Sequence, residues 1–453
     1  MNRFLDRISV YKTMVNINQY LINDIVYNRL TQYWEKIYRL KYCLKGTRFI
    51  EEIRMNIEDI KNAAGRLDSI LKKTPLIYSK TFSEERKNEI YLKPENLQVT
   101  GAFKIRGAYN KISCLDEDSK NRGLVAASAG NHAQGVAYSA KALNVHACIV
   151  MPKATPLIKV EATRAYGAEV LLYGDCYDEA YHKALELKNE RGYTFIHPFD
   201  DEEIIAGQGT LGLEILQELP DADIIIVPIG GGGLIAGVAM AVKQINPKIK
   251  VIGVEPEGAK AMFLSLANNK LTELDKVNTI AEGVAVKKPG EIAFNIIKQY
   301  VDEIITVTDV DVMEAFLLLL EKEKLIAENA GVLSLAALKN IKVKNQKIVS
   351  LISGGNIDVV TISELINRGL VIRGRVFCFS VVLMDRPGEL LKISTLLAEL
   401  NANIIKLDHN QFKTIDRFRQ VHLEVSIETN GHKHIKEIKK SLKENGYELS
   451  VIY

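Results

Sequence analysis

Short apolar runs recur along the chain at Leu124–Ala127, Ala147–Met151, Glu169–Leu172, Ile224–Ile229, Val251–Val254 and Ile348–Ile352. Each reads as a strand, and helical patterns of about 10–15 residues lie between them. From Met55 to about Arg373 this alternation predicts βαβ units and parallel sheet. The stretch is longer than one simple doubly wound sheet, which predicts two α/β lobes with a cleft between them. After Arg373 the texture changes. Val376–Met384 reads as a strand, Gly388–Leu400 as a helix and Asn403–Asn410 as a strand; Arg419–Glu428, His434–Asn445 and Tyr447–Tyr453 follow as strand, helix and strand. That βαββαβ order predicts a ferredoxin-like α+β unit over residues 373–453.

Residues 1–54 fit neither pattern. They hold the only tryptophan, Trp34, many tyrosines, and more Lys and Arg than acids. No apolar segment followed by a small-residue cleavage site marks a secretory signal. Asp6, Asp24 and a scarcity of serine argue against a transit peptide. Met55-Asn56-Ile57-Glu58-Asp59 looks like a fresh beginning, with Asn56 as N-cap and acids in the first helical turn. The expectation is an atypical extension over 1–54, disordered or upstream of a translation start at Met55. A first domain over 55–372 and a second over 373–453 would follow it.

Composition narrows the function classes. A chain of 453 residues, 47% of them hydrophobic, is long enough for two or three domains with sizeable cores. The net charge of +3 is small, and no basic block is large enough to suggest nucleic acid. The five cysteines, at 43, 114, 148, 176 and 378, are odd in number and form no CxxC pair. They predict reduced thiols and a cytoplasmic protein. No apolar run reaches transmembrane length; Phe316 to Leu320 reads as part of an ordinary buried helix.

Four stretches carry candidate chemistry. In Val99-Thr100-Gly101-Ala102-Phe103-Lys104-Ile105-Arg106-Gly107-Ala108 a lysine lies between two glycines. It follows the extended segment Ile90–Pro94 and precedes a helical run to Ile112. The helix start and the nearby Arg106 are both expected to lower the amine pKa of Lys104, as a Schiff-base lysine requires. In the second stretch, a strand from Asp223 to Ile229 leads into Gly230-Gly231-Gly232-Gly233-Leu234, and a helix follows. That order suits a phosphate held by backbone N–H groups; a turn made of glycine for steric reasons is the alternative. A dinucleotide fingerprint fails because Ile235 stands where its third glycine belongs. A Walker A loop fails because Gly237-Val238 replaces its Lys-Ser/Thr end. The third stretch, Ser128-Ala129-Gly130-Asn131-His132, opens a helix and suits a carboxylate, with His132 in a supporting role. The fourth, Ser353-Gly354-Gly355-Asn356, closes a further strand.

Together these stretches resemble the fold-type II pyridoxal-phosphate enzymes, most closely the threonine dehydratase branch. The resemblance runs from about Met55 to the C-terminus. Lys73-Thr74-Pro75-Leu76, Gly207-Gln208-Gly209-Thr210, Ala281–Val286 and Glu328-Asn329-Ala330-Gly331 fall in the same order as in those dehydratases. The resemblance implies a fold of two parallel-sheet α/β lobes, the smaller inserted at roughly 123–200. It implies that Lys104, next to Phe103, carries the cofactor and acts as catalytic base. Gly230, Gly231, Gly232, Gly233 and the Leu234 amide would hold the phosphate, and Asn131 would bond the 3′ oxygen. Residues Ser128, Ala129, Gly130, Asn131 and His132 would grip the substrate carboxylate, and Ser353 would meet the pyridine nitrogen. A neutral hydroxyl at that nitrogen favours expulsion of a β-substituent over a deep electron sink.

Asp385-Arg386-Pro387-Gly388-Glu389-Leu390 resembles the turn of an ACT regulatory domain. That implies an amino-acid effector near Asp385, Arg386, Pro387 and Gly388. Glu255 matches a cation-site stretch of related enzymes, but Ala261 stands where serine racemases have an acid. A monovalent ion, or none, is the expectation there. The family further implies deamination of threonine to 2-oxobutanoate, and of serine to pyruvate, as the first step towards isoleucine, in a homo-oligomer (dimer or tetramer). Serine racemase, serine dehydratase and a non-catalytic amino-acid-binding protein remain the alternatives. A sulfhydrylase is weaker, because its loop reads T-S-G-N-T-G.

Overall fold

The computed structural model describes residues 55–410 and 420–453, so the expectations for residues 1–54 lie outside the described residues. Asn56 begins the first helix, Ile57–Leu67. Its side chain accepts from the Glu58 amide at 2.8 Å, and Asp59 reaches back to the Asn56 amide at 2.8 Å, a reciprocal cap.

Three sheets organise the described residues. The largest contains β1 (Ile77–Tyr78), β2 (Glu89–Pro94), β7 (Ile224–Pro228), β8 (Lys250–Pro256), β9 (Glu303–Val307) and β10 (Lys347–Ile352), in the order β1-β2-β10-β7-β8-β9. Only β1 is antiparallel; β10 sits between β2 and β7, with Ser350 opposite Leu92 on one side and Ile226 on the other. Parallel strands covered on both faces carry unbroken apolar runs, and all of Ile224–Pro228 is buried. The second sheet, β5-β4-β3-β6, is wholly parallel and comprises β3 (Leu124–Ala127), β4 (Ala147–Met151), β5 (Glu169–Leu172) and β6 (Thr194–Phe195). The architecture is therefore α/β with two parallel sheets, as the alternating pattern predicts.

The third sheet is antiparallel: β11 (Val376–Met384), β12 (Asn403–Asn410), β13 (Gln420–Glu428) and β14 (Leu449–Val451), in the order β12-β13-β11-β14. Helices Glu389–Glu399 and His432–Glu444 complete a ferredoxin-like, ACT-like unit. Its apolar core runs from Phe377 to Leu442 and is distinct from the core of the large sheet. The apolar run near Phe316 departs from expectation: the α-helix ends at Leu318, and a single π-helical turn, Leu319–Glu323, closes it before Lys324 at φ 59°.

Topology positions the chemistry. Lys104 follows β2, the glycine loop follows β7, Ser353 follows β10 and the Ser128 loop follows β3. All four stretches leave the carboxyl ends of parallel strands, where open α/β sheets place ligands. Three of those strands, β2, β10 and β7, are immediate neighbours.

Candidate active site

Lys104 is the first residue of helix Lys104–Ser113 and is half-buried. Its Nζ donates to the Pro198 carbonyl at 2.8 Å and lies 5.3 Å from the centre of the Phe103 ring. Burial lowers its pKa to about 8, and the field of Glu328 opposes the shift. Arg106 contributes nothing to that shift, contrary to the sequence expectation. It is fully buried and turned away, with Nε 2.8 Å from Glu95 and Nη2 3.0 Å from Glu214. Residues two apart on a helix do not share a face, so closeness in sequence is not closeness in charge.

The backbone ties this segment to the end of β10. The Phe103 amide donates to the Ser353 carbonyl at 3.1 Å, the Gly355 amide to the Gly101 carbonyl at 2.8 Å, and Ala102 bridges Gly354. Ser353 is 4% exposed, and among the described residues its hydroxyl has no hydrogen-bond partner.

The loop after β3 closes on the same place. Asn131 donates from Nδ2 to Glu328 at 2.7 Å, and its Oδ1 accepts from Asn356 Nδ2 at 2.8 Å. One amide hydrogen of Asn131 remains for a ligand. A Cβ on Gly135, one turn along helix Asn131–Ala142, would lie 3.2 Å from the Lys104 carbonyl carbon, so this helix and the lysine segment pack backbone to backbone. Gly130 faces open space, and among the described residues the amides of Ala129, Asn131, His132 and Ala133 meet no protein acceptor. His132 is 4% exposed, and its Nε2 lies 2.9 Å from the Ile196 carbonyl, an acceptor, so Nε2 carries the proton. Burial and the Lys104 charge drive its pKa down to about 3, which keeps the ring neutral. It serves as a strut.

The glycine loop answers the steric question in part. Gly232 caps helix Gly233–Ile245 at φ +101°, a conformation that L side chains resist. A Cβ on Gly231 would meet the Phe199 ring at 2.2 Å, and one on Gly233 the Phe199 carbonyl at 2.4 Å. Close packing alone therefore requires these glycines. Packing does not account for the N–H groups: among the described residues, no protein acceptor takes the amides of Gly230, Gly231, Gly232, Gly233 or Leu234. A row of unpaired amides at a helix start fits a phosphate. With the half-buried amine of Lys104 and the unpaired Ser353 hydroxyl, these groups fit pyridoxal phosphate.

Two sets of candidates stand apart. Glu255 is 1% exposed at the end of β8, and its two oxygens accept from the Met262 and Phe263 amides at 3.0 and 2.7 Å. Burial raises its pKa to about 7. Among the described residues there is no group of three His, Cys, Asp or Glu side chains that could hold a metal ion. Asp385, Arg386, Pro387 and Gly388 form the exposed turn after β11, with Gly388 at φ +92°. Glu389, the first helical residue, is 8% exposed, and its Oε1 lies 2.8 Å from Arg386 and 2.9 Å from Lys392. These pairings hold its carboxyl below the usual range.

Sequence reasoning missed two features of the site. Glu328 figured only as a landmark, although it holds Asn131 and its pKa is raised to about 7 by burial. The segment Ile196–Asp200 was passed over, although its carbonyls bond both His132 and Lys104. A histidine before a proline and two acids, just ahead of a helix, was the available signal.

Comparison with known proteins fits this geometry. A family model described as pyridoxal-phosphate dependent enzyme matches residues 67–354. An L-threonine ammonia-lyase of Thermotoga maritima is 47% identical over 399 residues, which cover 88% of this chain and the whole of that protein. The solved processed form of threonine deaminase isoform 2 from Solanum lycopersicum superposes with a TM-score of 0.68 at 39% identity, over 72% of this chain and 90% of that one. Maize serine racemase superposes with a TM-score of 0.66 at 35% identity, over 70% of this chain and 98% of that one.

Proposed function

Because the chain belongs to the pyridoxal-phosphate-dependent enzymes, we propose that it deaminates L-threonine to 2-oxobutanoate and ammonia, and L-serine to pyruvate. The observation that carries this reading is the convergence of a lysine, a glycine loop and a serine at the ends of three adjacent strands. The first offers a half-buried amine of lowered pKa, the second unpaired amides, the third an unpaired hydroxyl. The cofactor, when bound, supplies a ring that takes up the electron pair left on Cα.

The chain's own residues do the rest. Lys104 would anchor the cofactor through Nζ, the amides of Gly230 to Leu234 would hold its phosphate, Asn131 its 3′ oxygen and Ser353 its pyridine nitrogen. The free amides of Ala129, Asn131, His132 and Ala133 and the helix behind them would grip the amino-acid carboxylate. Lys104 Nζ would then take the Cα proton. A lysine base works only when neutral, and a pKa of about 8 leaves an appreciable neutral fraction near pH 7. Loss of that proton and of the β-hydroxyl as water leaves an unsaturated amine, which water converts to the 2-oxo acid and ammonia. The ferredoxin-like unit would bind an amino-acid effector at its exposed turn, with isoleucine or valine as the candidates, as feedback on the first committed step towards isoleucine.

Steady-state release of ammonia and 2-oxo acid from threonine and serine, with and without isoleucine and valine, tests the reading. Turnover of threonine by the yellow, cofactor-loaded protein is expected. Absence of ammonia from both substrates would refute it.

A further inference from the structure

The groups named so far leave one element without a role: Ile196-His197-Pro198-Phe199-Asp200, the segment that leaves the second sheet after β6. It touches three of the four site stretches. Ile196 accepts from His132 at 2.9 Å, and Pro198 accepts from Lys104 Nζ at 2.8 Å. Phe199 lies against Gly231 and Gly233, and Asp200 accepts from the Glu291 and Ala293 amides at 2.9 and 3.1 Å. The shape of the segment is set by one side chain. His197 Nδ1 accepts from the Phe199 amide at 3.3 Å and from the Asp200 amide at 2.8 Å.

The Pro198–Phe199 peptide is trans, like every peptide bond among the described residues. Its N–H and C=O therefore point in opposite directions. With the Phe199 N–H aimed at His197, the Pro198 C=O is aimed the other way, onto the Lys104 amine. We propose that His197 is a positioning residue for Lys104: by accepting the Phe199 and Asp200 amides it fixes the Pro198 carbonyl, which holds the ε-amine whenever that amine is free. This rests on the reading of Lys104 as the reacting amine.

Nδ1 can play this part only as a lone pair. Burial lowers the His197 pKa, with Lys104 adding to the shift and Asp200 and Asp201 opposing it, so the neutral ring is the working form. The Phe199 ring, 4.8 Å from His197 and nearly perpendicular, holds the imidazole upright.

Two substitutions separate hydrogen bonding from packing. His197→Asn keeps an acceptor within reach of the two amides and loses the ring. His197→Phe keeps a ring and loses the acceptor. Each is assayed for kcat and KM with threonine. In cofactor-free protein, acylation of Lys104 against pH is followed by peptide mass spectrometry. The expected result is near-parental behaviour for the Asn variant. In the Phe variant kcat should fall about 10–100-fold, as misplaced groups do, with KM little changed. Its labelling midpoint should fall by about one pH unit, because a carbonyl acceptor favours the charged amine. The reverse order, with the Phe variant near-parental and the Asn variant impaired, would overturn the proposal, as would one midpoint shared by all three proteins. His197→Leu serves as the acceptor-free variant if the Phe variant does not fold. The midpoint does not depend on turnover, so failure of the threonine reading would show separately, as parental protein that releases no ammonia.

Discussion

At the residue level, two half-buried groups of the candidate site have their ordinary ionisation disturbed in opposite directions. Lys104 is lowered to about 8 and Glu328 raised to about 7, both by burial first. In cofactor-free protein, Lys104 binds fewer protons folded than unfolded between about pH 8 and its ordinary value near 10.5, so its contribution to stability rises with pH across that window. Glu328 binds more protons folded than unfolded between about 4.5 and 7, so its contribution falls with pH there. Glu328→Gln can still accept from Asn131 and avoids the buried charge. It should melt higher than the parental protein above pH 7, with the gain vanishing below about pH 4.5; a gain that persists at low pH would contradict the assignment. Ala129 bears on the racemase alternative. Racemisation needs an acid on the face of Cα opposite the lysine, a part that the resemblance implies for a serine in the matching loop of serine racemases. A methyl group there cannot donate, so chiral analysis of serine incubations should find little D-serine beside pyruvate. D-serine formed as fast as pyruvate would contradict this.

Among the elements, strands were far more legible than connections. Leu124–Ala127, Ala147–Met151, Glu169–Leu172, Val376–Met384 and Asn403–Asn410 were read from apolar pattern to the residue. β1 and β6 were not, because two residues carry no periodicity, and both owe their pairing to a neighbouring strand. Lys104, Asn131, Ser353 and the glycine loop were legible as candidates because each follows a strand that announces it. His197 and Pro198 were not, because their role depends on which way a peptide plane faces after folding. Arg106 shows the converse error: two residues from Lys104, it spends its charge on Glu95 and Glu214. Those pairs anchor helix Lys104–Ser113 to the end of β2 and to helix Glu202–Glu218. Arg106→Leu should strand the fully buried Glu95 and destabilise the protein by about 3–5 kcal/mol in urea unfolding. A change below about 1 kcal/mol, the range of exposed ion pairs, would show that the cluster is not an anchor.

Across the whole molecule, the ferredoxin-like unit proposed to regulate is built apart from the proposed catalytic site. All four site stretches precede Arg373, and helix Val359–Ile372 packs Leu365 into the large-sheet core. The ferredoxin-like unit has its own core and meets the rest through exposed contacts that include the ion pair of Arg375 with Glu321 and a bond of 2.9 Å between His432 Nε2 and the Ile372 carbonyl. Such pairs each contribute about 0–1 kcal/mol, so ending the chain after Arg373 should leave an active enzyme. It should lose its response to isoleucine or valine, a coupling of about 1–3 kcal/mol in typical allosteric proteins. Gly388→Asp, strained at φ +92°, should weaken the same response in the full chain. Titrations of threonine turnover against effector will show it; an unchanged response in the truncated protein would place the regulatory site elsewhere.

On the proposed mechanism one amine, Lys104 Nζ, carries the cofactor and moves the substrate proton. Borohydride reduction of the purified yellow protein, followed by digestion and peptide mass spectrometry, tests it directly. The added mass of pyridoxyl phosphate should appear on the peptide containing Lys104, with loss of colour and of threonine turnover. The same mass on another lysine, or full turnover by a Lys104→Ala protein, would contradict the account.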